Sequence, residues 1–270
     1  MNDYSIIIDC PDSYLDILTV FFVYLEKNWS SRKQKIFITT QTSEIPHPHN
    51  VVFVKCGDNT NSIQRTKTAI NLVDDKYILI MDCDDFIQKK VDEQYISDLL
   101  SYAENNDIKY IRVWRTKNME QRKYPTSFKH LFYCNKKARY SKSLMANFWD
   151  KSEYLKVFQS DDANGWSIEA QWLEETYNSN VGFYESYCYC SSDPFHILHA
   201  ISKGKWIRKA YKYLIKTKVS KNLLSQRKKL SFRDNLKLEA SDILKNILPS
   251  RICLWLKRRT KKVVNYTSDY

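Results

Sequence analysis

Tyr77-Ile-Leu-Ile-Met-Asp-Cys-Asp-Asp-Phe86 joins an apolar run to three acids within four positions. An uninterrupted apolar run of this length predicts a strand buried on both faces, the kind found in parallel sheets covered by helices. Ligands of such sheets bind beyond the carboxyl ends of the strands, so the acids stand at the ligand edge. Strand residues alternate in direction, which lets Asp82 and Asp84 point into one crevice with Asp85 at the turn. Carboxylates this close raise one another's pKa. A hard divalent cation, Mg²⁺ or Mn²⁺, resolves the repulsion by taking their oxygens as ligands and fills its shell with water and phosphate oxygens. A metal-bridged diphosphate is the ligand that this chemistry favours.

The neighbouring chain repeats the unit. Ser5-Ile-Ile-Ile-Asp9 predicts a buried strand, 14–27 a helix, 35–40 and 51–56 strands, 61–73 a helix, 91–105 a helix and 108–114 a strand. Repeated βα units imply a mostly parallel sheet with helices on both faces. Asp9, Thr39, Thr40 and Gly57-Asp-Asn-Thr-Asn61 all follow predicted strands. Four strand ends therefore converge on one place. Downstream, Asp150 and Glu153 have the spacing of a helix start; 166–177 predicts a helix and 181–190 a strand.

Composition narrows the choices. Only 4 glycines occur in 270 residues, too few for the glycine-rich phosphate loops, so carboxylates, a metal or basic side chains must hold any nucleotide. With 43% apolar residues the chain fills a real core. The apolar run 17–25 is far short of the ~20 residues of a membrane span, and no cationic leader precedes a cleavable apolar stretch. The 7 scattered cysteines suit reduced core thiols, and the expectation is a cytoplasmic chain.

Charge is uneven. From residue 201 onward there are 20 Lys or Arg against 4 Asp or Glu, so the net +12 of the chain belongs to this part. Residues 205–219, 232–248 and 251–264 predict basic amphipathic helices. Cations interleaved with Trp206, Tyr211, Tyr213 and Trp255 fit an anionic membrane surface; nucleic acid is the competing partner and is not expected here.

Asp82-Cys-Asp84 resembles the DxD motif of GT-A glycosyltransferases. The layout of residues 1–200 is similar to family 2 enzymes of bacterial surface-polysaccharide synthesis, through residues 3–16, 59–67 and Trp149-Asp-Lys151. The resemblance implies an α/β, Rossmann-like GT-A fold with a mostly parallel sheet. Residues 1–115 would form the nucleotide-sugar half, 116–200 the acceptor half and 201–270 a basic helical appendage. It implies a sugar moved from a nucleoside diphosphate donor, a UDP-sugar in the first instance, to a saccharide or lipid-linked acceptor, with inversion and with Mn²⁺ or Mg²⁺. The enzyme would sit peripherally at the inner face of the cell membrane.

The resemblance also distributes roles. Asp9, Thr40 and Asn61 would line the donor, Arg65 would contact its diphosphate and Asp82 its ribose or sugar. Asp84 would bind the metal. Relatives with a plain Asp-Asp at this point match Asp84 and Asp85, so either Asp82 or Asp85 joins Asp84 there. Glu169, at a helix start beside the acceptor, would be the general base, with Asp161 or Asp162 in reserve. His199 would complete the metal shell or touch diphosphate, and Lys203 and Lys205 would neutralise phosphate.

Two other readings use the same residues. A haloacid-dehalogenase-like phosphatase also places Asp-x-Asp after a strand, but usually the first one. A nucleic-acid-binding protein explains the basic residues and leaves the acids without purpose. Each site residue also has an ordinary structural use, since acids at strand ends cap helices and a helix-start Glu complements the macrodipole.

Overall fold

The computed structural model describes residues 4–114, 122–138, 141–144, 146–160, 165–248 and 252. Its centre is an eight-stranded sheet in the order β3-β2-β1-β4-β8-β6-β9-β7. The strands are β1 (Tyr4–Asp9), β2 (Ile36–Thr40), β3 (Val51–Lys55), β4 (Tyr77–Asp82), β6 (Tyr110–Arg112), β7 (Leu131–Asn135), β8 (Asn147–Asp150) and β9 (Phe183–Cys190). β8 and β7 run against their neighbours and the other six share one direction. The fold is α/β with a largely parallel sheet, as the βα alternation predicts. Short β5 (Asp85–Ile87) pairs antiparallel with β10 (Ile197–His199), and β11 (Ile201–Ser202) with β12 (Lys205–Trp206).

Burial of both sheet faces explains the apolar runs. Along β1 and β4, Ile6, Ile8, Leu79 and Met81 enter one core, and Ile7, Ile78 and Ile80 enter another on the opposite face. Helices α1 (Leu15–Asn28) and α3 (Glu93–Asn105) cover the first face. Helices α2 (Ser62–Ile70), α4 (Lys151–Val157) and α5 (Gly165–Asn178) cover the second. Alternation of strand side chains requires such a division.

The C-terminal part departs from the expected helices. Lys205 and Trp206 belong to β12, and the first helix there, α6, runs Arg208–Lys216. A two-residue turn precedes β12, with φ of 51° at Lys203 and 67° at Gly204; positive φ at both central positions is the hairpin geometry that glycine favours. Trp206, Ala210, Leu214 and Leu224 of the α7 helix (Lys221–Ser225) are buried in the same core as β1 and β4. The boundary expected at residue 200 thus falls inside a packed cluster. Among the described residues, α8 (Phe232–Ile247) contributes no side chain to that core. The helix expected over 251–264 lies outside the described residues, residue 252 excepted. Among the described residues no helix is long and apolar enough to cross a membrane, and the six described cysteines are free.

Candidate active site

β1, β2 and β4 end together: Asp9 pairs in register with Thr39 on one side and with Asp82 on the other. Past Asp82 the chain turns through Cys83 and Asp84 into β5, whose Asp85 stands directly across from His199 of β10. The imidazole Nδ1 of His199 lies 3.2 Å from Asp85 Oδ1 and 3.4 Å from Asp84 Oδ2. One donor atom from each of these three residues falls within 4.8 Å of the others. Asp84 Oδ2 also accepts from the Ile201 N–H at 3.1 Å, and Asp85 Oδ2 from the Asp82 N–H at 3.4 Å. Trp114, just past β6, meets the His199 ring edge-on at 5.7 Å.

The electrostatics follow from crowding. Desolvation raises Asp84 to about 6 even though His199 pulls the other way, and Asp85 adds repulsion. Burial opposes a charged imidazole at His199, but Asp84 and Asp85 outweigh it and lift its pKa to about 10. Desolvation by the neighbouring residues and repulsion from Asp85, Asp84 and Asp9 together push the pKa of Asp82 well above the carboxylate range. Its side chain nevertheless retains exposed surface, and that surface decides whether a ligand reaches it. Two carboxylates and an imidazole, with a third carboxylate at the rim, make a donor set that fits Mn²⁺ and, with more water in the shell, Mg²⁺.

Arg65 and Asp9 form one unit. Arg65 Nε and Nη2 donate to Asp9 Oδ1 and Oδ2 at 2.7 and 2.8 Å, and Thr39 Oγ1 donates to Asp9 Oδ1 at 2.9 Å. Both charges are buried. The guanidinium is turned towards the sheet, and Asp9 is its anionic partner in this structure. Asn61 caps α2, accepting from the Gln64 N–H at 3.0 Å while Gln64 accepts from the Asn61 N–H. Thr40 Oγ1 donates to the Ser43 carbonyl at 2.8 Å.

Glu169 sits in the first half of α5, and its Oε1 accepts from the Leu144 N–H at 3.2 Å and the Ser143 hydroxyl at 3.4 Å. These partners belong to the 143–144 turn, not to the acid cluster. The start of α5 packs close to α2: a Cβ on Gly165 would meet Leu144 Cδ1 at 2.9 Å and Ser62 Oγ at 4.0 Å. Asp161 and Asp162 lie outside the described residues. Lys203 and Lys205, exposed on the β11–β12 hairpin, border a cavity of about 600 Å³ with Arg227, Lys228, Asp12 and Asp16. None of Asp82, Asp84, Asp85 or His199 lines that cavity.

Three residues that sequence reasoning left without a role shape the site. Trp114 is one. Asp193 accepts from the Phe195 and Ile197 N–H groups at 3.1 and 2.6 Å and so fixes the entry to β10; desolvation raises it to about 6. Asp12 accepts from the N–H groups of Gln41, Thr42 and Ser43, tying the loops after β1 and β2 together. Desolvation opposes the charge, but these hydrogen bonds together outweigh it and hold its pKa below the usual range. The signal for Asp12 was present in Asp9-Cys-Pro-Asp12, a turn composition after a strand.

No family model matches the chain, and no curated protein matches it. Among solved structures it is similar to S. aureus TarS 1-349 in complex with UDP-GlcNAc, at 13% identity and a TM-score of 0.45 over 93% of this chain and 69% of that one. It is also similar to the galactosyltransferase LgtC in complex with donor and acceptor sugar analogs, at 11% identity and a TM-score of 0.38 over 84% of each chain. A cytidylyltransferase from Leptospira borgpetersenii serovar Hardjo-bovis gives 13% identity and a TM-score of 0.45 over 91% of this chain and 97% of that one. Against two further TarS structures the chain spans 60% and 42% of their length. Likenesses this distant give no residue a role.

Proposed function

We propose that the chain is a metal-dependent glycosyltransferase of the GT-A kind, moving a hexosyl group from a UDP-sugar to a saccharide acceptor on a lipid carrier. The observation that supports this reading most is the meeting of Asp84, Asp85 and His199 within 4.8 Å, at the carboxyl edge of a parallel sheet and next to Asp82. Those three would hold Mn²⁺ or Mg²⁺, which supplies charge neutralisation to a departing diphosphate. Residues 1–115 would take the donor and 116–200 the acceptor.

The remaining roles belong to the chain's own groups. Asp82, exposed at the rim, would accept hydrogen bonds from ribose or sugar hydroxyls. Lys203 and Lys205 would screen the phosphate charge as it grows. Arg65 would act through Asp9, holding that carboxylate at the floor of the crevice beside Asp82. In an inverting displacement the acceptor oxygen bonds to the anomeric carbon as the carbon–phosphate oxygen bond breaks, and the nucleoside diphosphate leaves with that electron pair. Glu169 would take the acceptor hydroxyl proton, a transfer that contributes roughly 10² to 10⁴ in rate. The chemistry fits the assembly of a bacterial surface polysaccharide at the inner face of the cell membrane, where the basic C-terminal part would dock.

Glu169→Gln tests the assignment of the base. Turnover should fall by roughly 10² or more while UDP binding in the presence of Mn²⁺ survives; equal loss of both would reject the role. The reaction itself is tested by incubating the protein with UDP-, GDP-, CMP- and dTDP-sugars and a lipid-linked saccharide, with and without Mn²⁺. Glycosylated product that requires both metal and one nucleotide supports transfer. Release of phosphate from a generic phosphoester without glycosylated product would favour the phosphatase.

A further inference from the structure

The orientation of α8 is the reverse of what a surface helix usually shows. Phe232, Leu236, Ile243 and Leu244 are 66, 48, 57 and 53% exposed. Their spacing of i, i+4, i+11 and i+12 places them on one helix face. The attachment is made through a polar residue: Asn235, 6% exposed, accepts from the Arg208 N–H at 3.3 Å and, within the helix, donates to Glu239 Oε1 at 2.8 Å. Soluble helices bury the apolar stripe and expose the polar one. Among the described residues the apolar face of α8 stays about half exposed or more, Arg208 lying against Phe232, and a contiguous exposed apolar face marks an interaction surface.

Charge says what that surface meets. Residues 201–248 carry 14 Lys or Arg against 3 Asp or Glu; α8 itself is balanced, with Arg233, Lys237 and Lys245 against Asp234, Glu239 and Asp242, so the excess of cations lies in the residues that precede it. The Arg208 guanidinium lies 5.9 Å from the ring centre of Phe232, and Arg227, Lys228 and Lys229 lead directly into the helix. A helix with an apolar face set in surroundings this cationic matches an anionic lipid surface, where apolar side chains enter the headgroup–acyl boundary and cations meet lipid phosphates. A protein partner would answer the apolar face alone.

We propose that α8 is the element that lays this chain on an anionic phospholipid bilayer, with Phe232, Leu236, Ile243 and Leu244 inserted. The proposal rests on the membrane-docking part of the functional reading above.

The test is flotation of the full chain with phosphatidylcholine vesicles, with and without phosphatidylglycerol. The variant Phe232→Gln/Leu236→Gln/Ile243→Gln/Leu244→Gln is compared with the wild type, and its melting temperature and sedimentation are measured alongside. The expected result is flotation only with the anionic vesicles, binding weakened on the order of tenfold or more in the variant, and an unchanged melting temperature. Anionic-vesicle binding that the variant retains in full would overturn the role of α8 and leave the membrane reading standing. No binding by the wild type would overturn both. A large fall in melting temperature would show the face to be covered by the chain's own residues, 253–270 among them, and a mass that doubles with concentration would show a second copy there; either overturns the proposal. Transfer to a soluble acceptor is unaffected by any of these outcomes and separates them from failure of the glycosyltransferase reading.

Discussion

Asp9 and Arg65 show how one residue's role depends on its partner. Both are under a tenth exposed, and two parallel N–H···O bonds join them. Removing one partner of a buried pair leaves the other charged without compensation, at a cost of about 3–5 kcal/mol. Urea unfolding of Arg65→Met should show a loss of that size, and Asp9→Asn in the same chain should restore part of it. No restoration would mean that the two do not act as a unit. In the acid cluster, Asp84→Asn removes a donor atom and one of the mutually repelling carboxylates. The Mn²⁺-induced rise in melting temperature should disappear in that variant without loss of stability in the metal-free protein; an unchanged Mn²⁺ response would remove Asp84 from the metal site. That acids crowd the end of β4 was legible, because a strand followed by acids puts them there; that Asp84 and Asp85 are the pair that meets His199 was not. The contact of Trp114 was not legible either, because it is made across more than 80 residues of chain, to His199; Asp193 acts locally, on the Phe195 and Ile197 N–H groups, and no acid pattern marked it.

At the scale of elements, sequence patterns worked where a residue meets its own neighbours in the chain. Asp150 was read as a helix start, and in the structure its carboxylate accepts from the Glu153 N–H at 3.1 Å at the head of α4. Asp150 also closes β8 (Asn147–Asp150), which periodicity missed because a strand so short leaves no alternation to read. β5 and β10 were missed for the same reason, although their pairing is what sets His199 against Asp85. Desolvation works against the Asp150 carboxylate, but Ser152, the Glu153 N–H and Lys109 outweigh it and hold its pKa below the ordinary value. A carboxylate depressed in the folded state adds stability that is complete above the unfolded pKa, roughly 4, and is lost as pH falls through the lower folded value. Asp150→Ala should therefore cost about 1 kcal/mol at pH 7. The difference from wild type should shrink below roughly pH 4; a difference independent of pH would point to packing instead.

Over the whole molecule, the balance of charge suggested an appended tail, but burial decides otherwise for its first part. Trp206 and Leu214 are fully buried among residues of β1, β4 and α1, and Trp206 Nε1 donates to the Leu224 carbonyl at 3.0 Å. Basic composition hid this, because amphipathic helices carry their cations outward and need few apolar residues to dock. Leu214→Ala should lower stability by about 2–5 kcal/mol in a single cooperative transition; a separate early transition would mean that residues 205–224 fold apart from the sheet. The proposed transfer depends on the place where β4, β5 and β10 bring their carboxylates and imidazole together. A crystal soaked with Mn²⁺ and UDP, recorded near the manganese edge, measures it. An anomalous peak ligated by Asp84, Asp85 or Asp82 with His199 and by diphosphate oxygens is the predicted result. Manganese and nucleotide bound elsewhere, with those four side chains left in mutual contact, would contradict it.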